Sequence, residues 1–206
     1  MLRYFLDGFS GASAGFMWGI TALLAWAVAI FVERCWILLR RYTFRSHEVR
    51  AALKDRGPTA ALSAAGTSPL ATVFQAGLDA TSPEAAWDAM SGEVARLDAA
   101  AHKRIGYLAT IGNLSTMVGL LGNVLGIIIA FGSLGDASAE ARAVHLSEGI
   151  ATAMSTTAYG LMVAIPALAA HAWLEQQARL YLAEVEALAG ALAARLRQDP
   201  SGAKGA

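Results

Sequence analysis

The stretch 108–131, LATIGNLSTMVGLLGNVLGIIIAF, carries no charged side chain and is long enough to cross a bilayer as a helix. About twenty apolar helical residues suffice to span the hydrocarbon core. Its interior is not uniformly apolar, because Gly112, Thr116, Gly119, Gly122, Asn123 and Gly126 recur at intervals of three and four and share one broad helical face. Such a face lets a neighbouring helix approach closely, and this one holds an amide.

A second uncharged stretch follows at 149–173, GIATAMSTTAYGLMVAIPALAAHAW. Thr152, Ser155, Thr156 and Thr157 crowd its first half, and Pro166 sits in its second. A hydroxyl in a membrane helix readily bonds back to its own backbone. Hydroxyls this dense, opposite an Asn-bearing helix, nevertheless predict a polar path. Gly119, Gly122, Gly126 and Gly160 read as packing notches, and Pro166 as a kink whose freed carbonyl is satisfied locally.

A third apolar run extends from Ala12 to Val32 and is followed by Glu33, Arg34 and the segment CWILL. Ala25, Ala27 and Ala29 give the small-residue spacing of a signal-peptide cleavage site. The run continues through Ile30, Phe31 and Val32 and resumes at Trp36, so the expectation is a retained membrane helix.

With 206 residues and a hydrophobic fraction of 56%, the chain is too apolar for an ordinary soluble domain and too short for a many-helix carrier. Its formal net charge is zero, which gives no field to recruit nucleic acid. Cys35 is the sole cysteine, excluding an intrachain disulfide and a thiolate metal cluster. His47, His102, His145 and His171 lack metal-site spacing, and no nucleotide-binding glycine loop or nucleophile elbow is present. No cofactor, no metal and no enzymatic activity are therefore expected.

Charge placement orients the spans. Arg40, Arg41, Arg45, Arg50, Lys54 and Arg56 follow the first span, and Lys103 and Arg104 precede the second, so both flanks are cytoplasmic by the positive-inside rule. The loop between the second and third spans holds Asp136, Glu140 and Glu148 against Arg142 alone. The sequence thus predicts an all-α membrane protein with a short periplasmic N-terminus (1–11) and a first transmembrane helix (12–39). A cytoplasmic helical region (40–106), a second transmembrane helix (107–131) and a periplasmic loop (132–148) follow. The chain closes with a third transmembrane helix (149–174) and a cytoplasmic tail (175–206) that is amphipathic to Arg197 and frays from Asp199. Ser82 caps a helix whose first position is Pro83, with Glu84 in the first turn. Only Gly92 weakens it before the second span, so one rod of about fifty residues, about 75 Å, is expected to extend into the cytoplasm. Ala86, Met90, Val94 and Leu97 form its buried seam.

Membrane proteins that move protons usually keep an acid or a histidine within the bilayer. Apart from His171 near a helix end, the second and third spans have neither. A partner must supply the titrating carboxylate, or the chain conducts nothing and serves as a non-conducting oligomeric scaffold.

The pair GLLGNVLGI (119–127) and GIATAMSTTAYGLMVAIPAL (149–168), with SPLATVFQAGL (68–78), resembles the MotA/TolQ/ExbB proton-channel family over about residues 68–174. The absence of a large cytoplasmic insertion favours its ExbB/TolQ-like branch. The resemblance implies a homopentamer in the bacterial inner membrane, whose second and third helices enclose an ExbD/TolR-like single-span partner bearing the proton-accepting Asp. It implies coupling of the proton-motive force to mechanical work at the envelope, in energised import, envelope maintenance or motility. The family's pore threonines fall on Thr157, with Thr156 beside it, and on Asn123. The glutamate often found in the third helix falls on Thr152. Both replacements bear on the proton route and on whether protons or sodium ions pass.

Overall fold

The computed structural model describes residues 9, 14–41, 46–132 and 139–198, and all its regular elements are helices. Arg3, Asp7, Arg45, Asp136 and the stretch from Asp199 onward lie outside the described residues. The helices are α1 (Ala14–Arg41), α2 (Ser46–Asp55), α3 (Pro58–Ala65), α4 (Pro69–Leu78), α5 (Pro83–His102), α6 (Ile105–Gly132) and α7 (Ala139–Gln198). Three helical stretches, within α1, through α5 and α6, and within α7, are long and apolar enough to cross a membrane.

Two of the expected boundaries are corrected. The single rod through α5 and α6 is interrupted at Lys103 and Arg104, where Arg104 takes a left-handed φ of 66°. Neither Lys nor Arg breaks a helix by propensity. The interruption falls where the polar sequence meets the apolar one, and a turn bond from the Tyr107 N–H to the Arg104 carbonyl, 3.2 Å, starts the next helix. Second, α7 outruns its apolar segment at both ends, running 60 residues from Ala139 to Gln198. The expected loop 132–148 is thus helical from Ala139, because AEARAVHLSE contains good helix formers and neither Gly nor Pro. Pro166 lies inside α7 without ending it.

The chain divides into two compact units. One comprises residues 33–103 and 173–206. Here Ser82 caps α5 by accepting the Ala85 N–H at 3.2 Å, as its position before Pro83 predicts. Ala86, Met90 and Val94 are buried, and Leu97 is half-buried. Gly77 of α4 admits the Met90 thioether, which would stand 2.6 Å from an added Cβ. The last part of α7 buries Leu174, Ala178, Tyr181, Val185, Leu188 and Leu192 at alternating steps of four and three, the period of one apolar helical stripe.

The other unit, residues 1–32 and 104–172, contains α6, the apolar part of α7 and the first part of α1. It carries every residue with a predicted pore role and the predicted glycine notches and Pro166.

Candidate functional site

α6 and α7 pack antiparallel along the expected glycine face. A Cβ on Gly160 would stand 2.6 Å from the Ser115 carbonyl oxygen and 3.1 Å from the Gly119 Cα. One on Gly119 would meet the Thr156 carbonyl oxygen at 3.1 Å. Real Cβ atoms do not come as close as 2.6 Å to backbone, so this crossing requires glycine at 160 and leaves little room for more at 119. The contact extends along the pair, with Gly112 against Leu168, Gly122 against Thr156, Gly126 against Ala153 and Gly149 against Ala130.

α1 covers one side of this pair. Met17 and Ile20 form a buried cluster with Tyr159 and Val163 of α7, and Leu24 and Val118 pack against it. The side chain of Phe16 reaches Gly122. A polar tie reinforces the seam: the Thr21 hydroxyl donates to the Met17 carbonyl at 2.8 Å, which leaves the Tyr159 hydroxyl, 2.9 Å away, to donate to Thr21 Oγ1.

Helical geometry then sorts the four predicted pore residues, since each residue advances about 100° around its axis. Asn123 lies five residues beyond Val118, about 140° around α6, and Thr157 lies two before Tyr159, about 160° around α7. Both therefore share the side that α1 leaves open. Thr116, seven residues before Asn123, lies on the same strip. Thr152 is seven residues before Tyr159 and returns to the face that α1 packs against. Thr156 is 0% exposed, wedged between the helices with its methyl group toward Gly122.

Hydrogen bonding separates them further. Thr152 donates to the Glu148 carbonyl at 2.9 Å, Thr156 to the Thr152 carbonyl at 3.3 Å and Thr116 to the Gly112 carbonyl at 3.2 Å. Thr157 instead reaches across to the Gly119 carbonyl at 3.2 Å. Asn123 Oδ1 is buried and finds no partner among the described residues. An unpaired buried amide acceptor costs about 1–3 kcal/mol, so Asn123 is the residue with most to gain from a group brought by something else. His171 is half-buried, with Nδ1 3.2 Å from the Ile105 carbonyl oxygen.

No group of three or more His, Cys, Asp or Glu side chains converges on a possible metal site among the described residues. Asp, Glu, Lys and Arg are likewise absent from the apolar parts of α6 and α7, so apart from His171 near one end this pair offers hydroxyls, amides and carbonyl oxygens.

A family profile described as the MotA/TolQ/ExbB proton channel family matches residues 65–187. The chain belongs to that family. The matched segment takes in α4 through the end of the apolar part of α7, and so the whole α6–α7 pair. Among curated relatives, a biopolymer transport protein ExbB-like 2 of Helicobacter pylori is 43% identical over 74 residues, 35% of this chain and 48% of the relative. The biopolymer transport protein ExbB of Aquifex aeolicus is 35% identical over 96 residues, 47% of this chain and 64% of that protein. The Tol-Pal system protein TolQ of Haemophilus influenzae is 40% identical over 83 residues, 40% of this chain and 34% of TolQ. Each match thus covers less than two thirds of the relative's own length. The family and the three apolar helices make this a multi-pass membrane protein of the ExbB/TolQ-like branch.

Sequence reading passed over two residues of this unit. Tyr159 anchors α1, and a phenol within an otherwise apolar run is the signal that singles it out. Ser115, whose carbonyl lies at the Gly160 crossing, is 0% exposed with an Oγ that has no partner among the described residues. Nothing in the sequence separates it from a back-bonded serine.

Proposed function

We propose that this chain is the channel-forming subunit of an inner-membrane stator that couples an ion-motive force to mechanical work at the cell envelope. Copies of it, five by family analogy, surround an ExbD/TolR-like single-span protein whose aspartate accepts the proton. One observation carries the proposal: Asn123 and Thr157 share the side of the α6–α7 pair that α1 leaves open, in spans that hold no acid and, apart from His171 near the end of the third, no base of their own. Such a surface hydrates and orients a titrating group but cannot replace one, so the carboxylate comes from the enclosed partner. In this reading α1 faces the lipid side of the ring. The N-terminus is periplasmic and the C-terminus cytoplasmic, in keeping with the positive charge flanking α1 and α6.

Moving one charge through 100 mV releases about 2.3 kcal/mol, so many successive ions drive one mechanical cycle. The cycle powers energised import, Tol-like envelope maintenance or motility; the relatives are named as biopolymer transport and Tol-Pal system proteins. Asn123, in place of the usual threonine, bears on whether the ion is a proton or sodium, and Thr152, in place of the usual glutamate, leaves the third span without that carboxylate.

A second reading, a non-conducting scaffold, draws on the hydroxyls of Thr152, Thr156 and Thr157 all being bonded within the chain. Decay of an imposed pH gradient across vesicles carrying the assembled complex separates the two. Under the first reading Asn123→Ala and Thr157→Ala slow the decay while the complex keeps its mass. If both variants assemble and match the parent, the scaffold is the better description.

A further inference from the structure

α6 carries a second amide, Asn113, and it is exposed. Asn113 stands eight residues beyond the helix start at Ile105, about 12 Å along the axis. The 28 residues of α6 make a rod of about 42 Å, against a hydrocarbon core of about 30 Å. A centred helix overhangs by about 6 Å at each end, which leaves Asn113 about 6 Å inside the apolar layer. An amide turned to lipid at that depth has two donors and an acceptor without partners, an arrangement that membrane helices avoid.

Its angular position offers another environment. Asn113 and Leu120 are seven residues apart and share a face. Asn113 and Asn123 each lie about 140° from Val118, on opposite sides, and so bracket Thr116 and Leu120 on the strip that α1 leaves open. The next residue, Leu114, is turned by about 100° onto a different face. It is 42% exposed there and continues an apolar surface with Leu121 and Leu125.

We propose that Asn113 lines the Ile105 end of the conduit, where its amide holds the water that accompanies a cation between that end and Asn123. This rests on the channel reading above and adds to it a polar position about 15 Å from Asn123 along α6.

The test uses the assembled complex in membrane vesicles of both orientations, in a Cys35→Ser background, with a charged maleimide that does not cross lipid. A thiol reacts as the thiolate, which forms in water and not in hydrocarbon. Asn113→Cys is expected to react at least about tenfold faster than Leu114→Cys, since the two share a depth and differ in face. Equal rates, both slow or both fast, overturn the proposal. If Asn113→Cys is slow while Thr157→Cys reacts, this inference falls and the conduit stands, and if both are slow the conduit falls with it. Ion flux gives an independent check. Asn113→Leu is expected to lower it about tenfold and Asn113→Ser to restore most of it, whereas parental flux in Asn113→Leu overturns the proposal.

Discussion

The hydroxyl of Thr157 donates a 3.2 Å hydrogen bond to the carbonyl of Gly119 on the facing helix. In the helical ladder that carbonyl is also the acceptor for the Asn123 N–H. Asn123 and Thr157, on the open side of the α6–α7 pair, are thus tied to one oxygen. The tie depends on a backbone approach that glycine alone allows at 160 and that a side chain at 119 would crowd.

Gly160→Ala is accordingly expected to be costly. The added methyl group would meet the Ser115 carbonyl at 2.6 Å and the Gly119 Cα at 3.1 Å, both backbone atoms with no rotamer to change. Overpacking of this kind costs about 1–3 kcal/mol. Thermal unfolding of the detergent-solubilised protein should register a clear fall in Tm, and an unchanged Tm would contradict the packing described.

Gly92 provides the opposite case. It lies inside α5, and an added Cβ would meet nothing within 4 Å. Gly92→Ala therefore gains helix propensity without a clash, an expected stabilisation of about 0.5–1 kcal/mol. The same melting experiment should show Tm rising.

These two glycines mark what the sequence could reveal. The three- and four-residue recurrence of Gly112, Thr116, Gly119, Gly122 and Gly126 exposed the packing face directly, because helix approach requires small residues at that period. The three spans were equally legible, since long apolar runs with little or no charge define them. The break at Arg104 was not, because neither Lys103 nor Arg104 disfavours helix locally. The separation of Thr152 and Thr156 from Thr157 was also hidden: spacing gives relative angles, but only the position of α1 says which side is covered.

Ser115→Ala tests a buried group that the packing leaves unpaired. Its Oγ has no partner among the described residues and the side chain is 0% exposed. Removing an unsatisfied hydroxyl relieves a penalty of about 1–3 kcal/mol while creating little space. The variant should melt at or above the parental Tm, and a loss above about 1 kcal/mol would reveal a partner for that hydroxyl.

Tyr159→Phe removes the hydroxyl that meets Thr21 at 2.9 Å and keeps the ring. A loss of about 0.5–1.5 kcal/mol is expected, the net worth of one hydrogen bond. Thr21→Val should cost a similar amount, and the double variant little more than either alone, because one interaction is shared. Additive losses would show that the two hydroxyls act separately.

The central claim is that the side of the α6–α7 pair left open by α1 carries the ions. Single-channel or vesicle flux through the assembled complex, compared across two isosteric variants, tests it most directly. Thr157→Val on the open side should reduce flux about tenfold or more, while Thr152→Val on the α1 side should leave it within about twofold of the parent. Parental flux in Thr157→Val together with its loss in Thr152→Val would contradict the account.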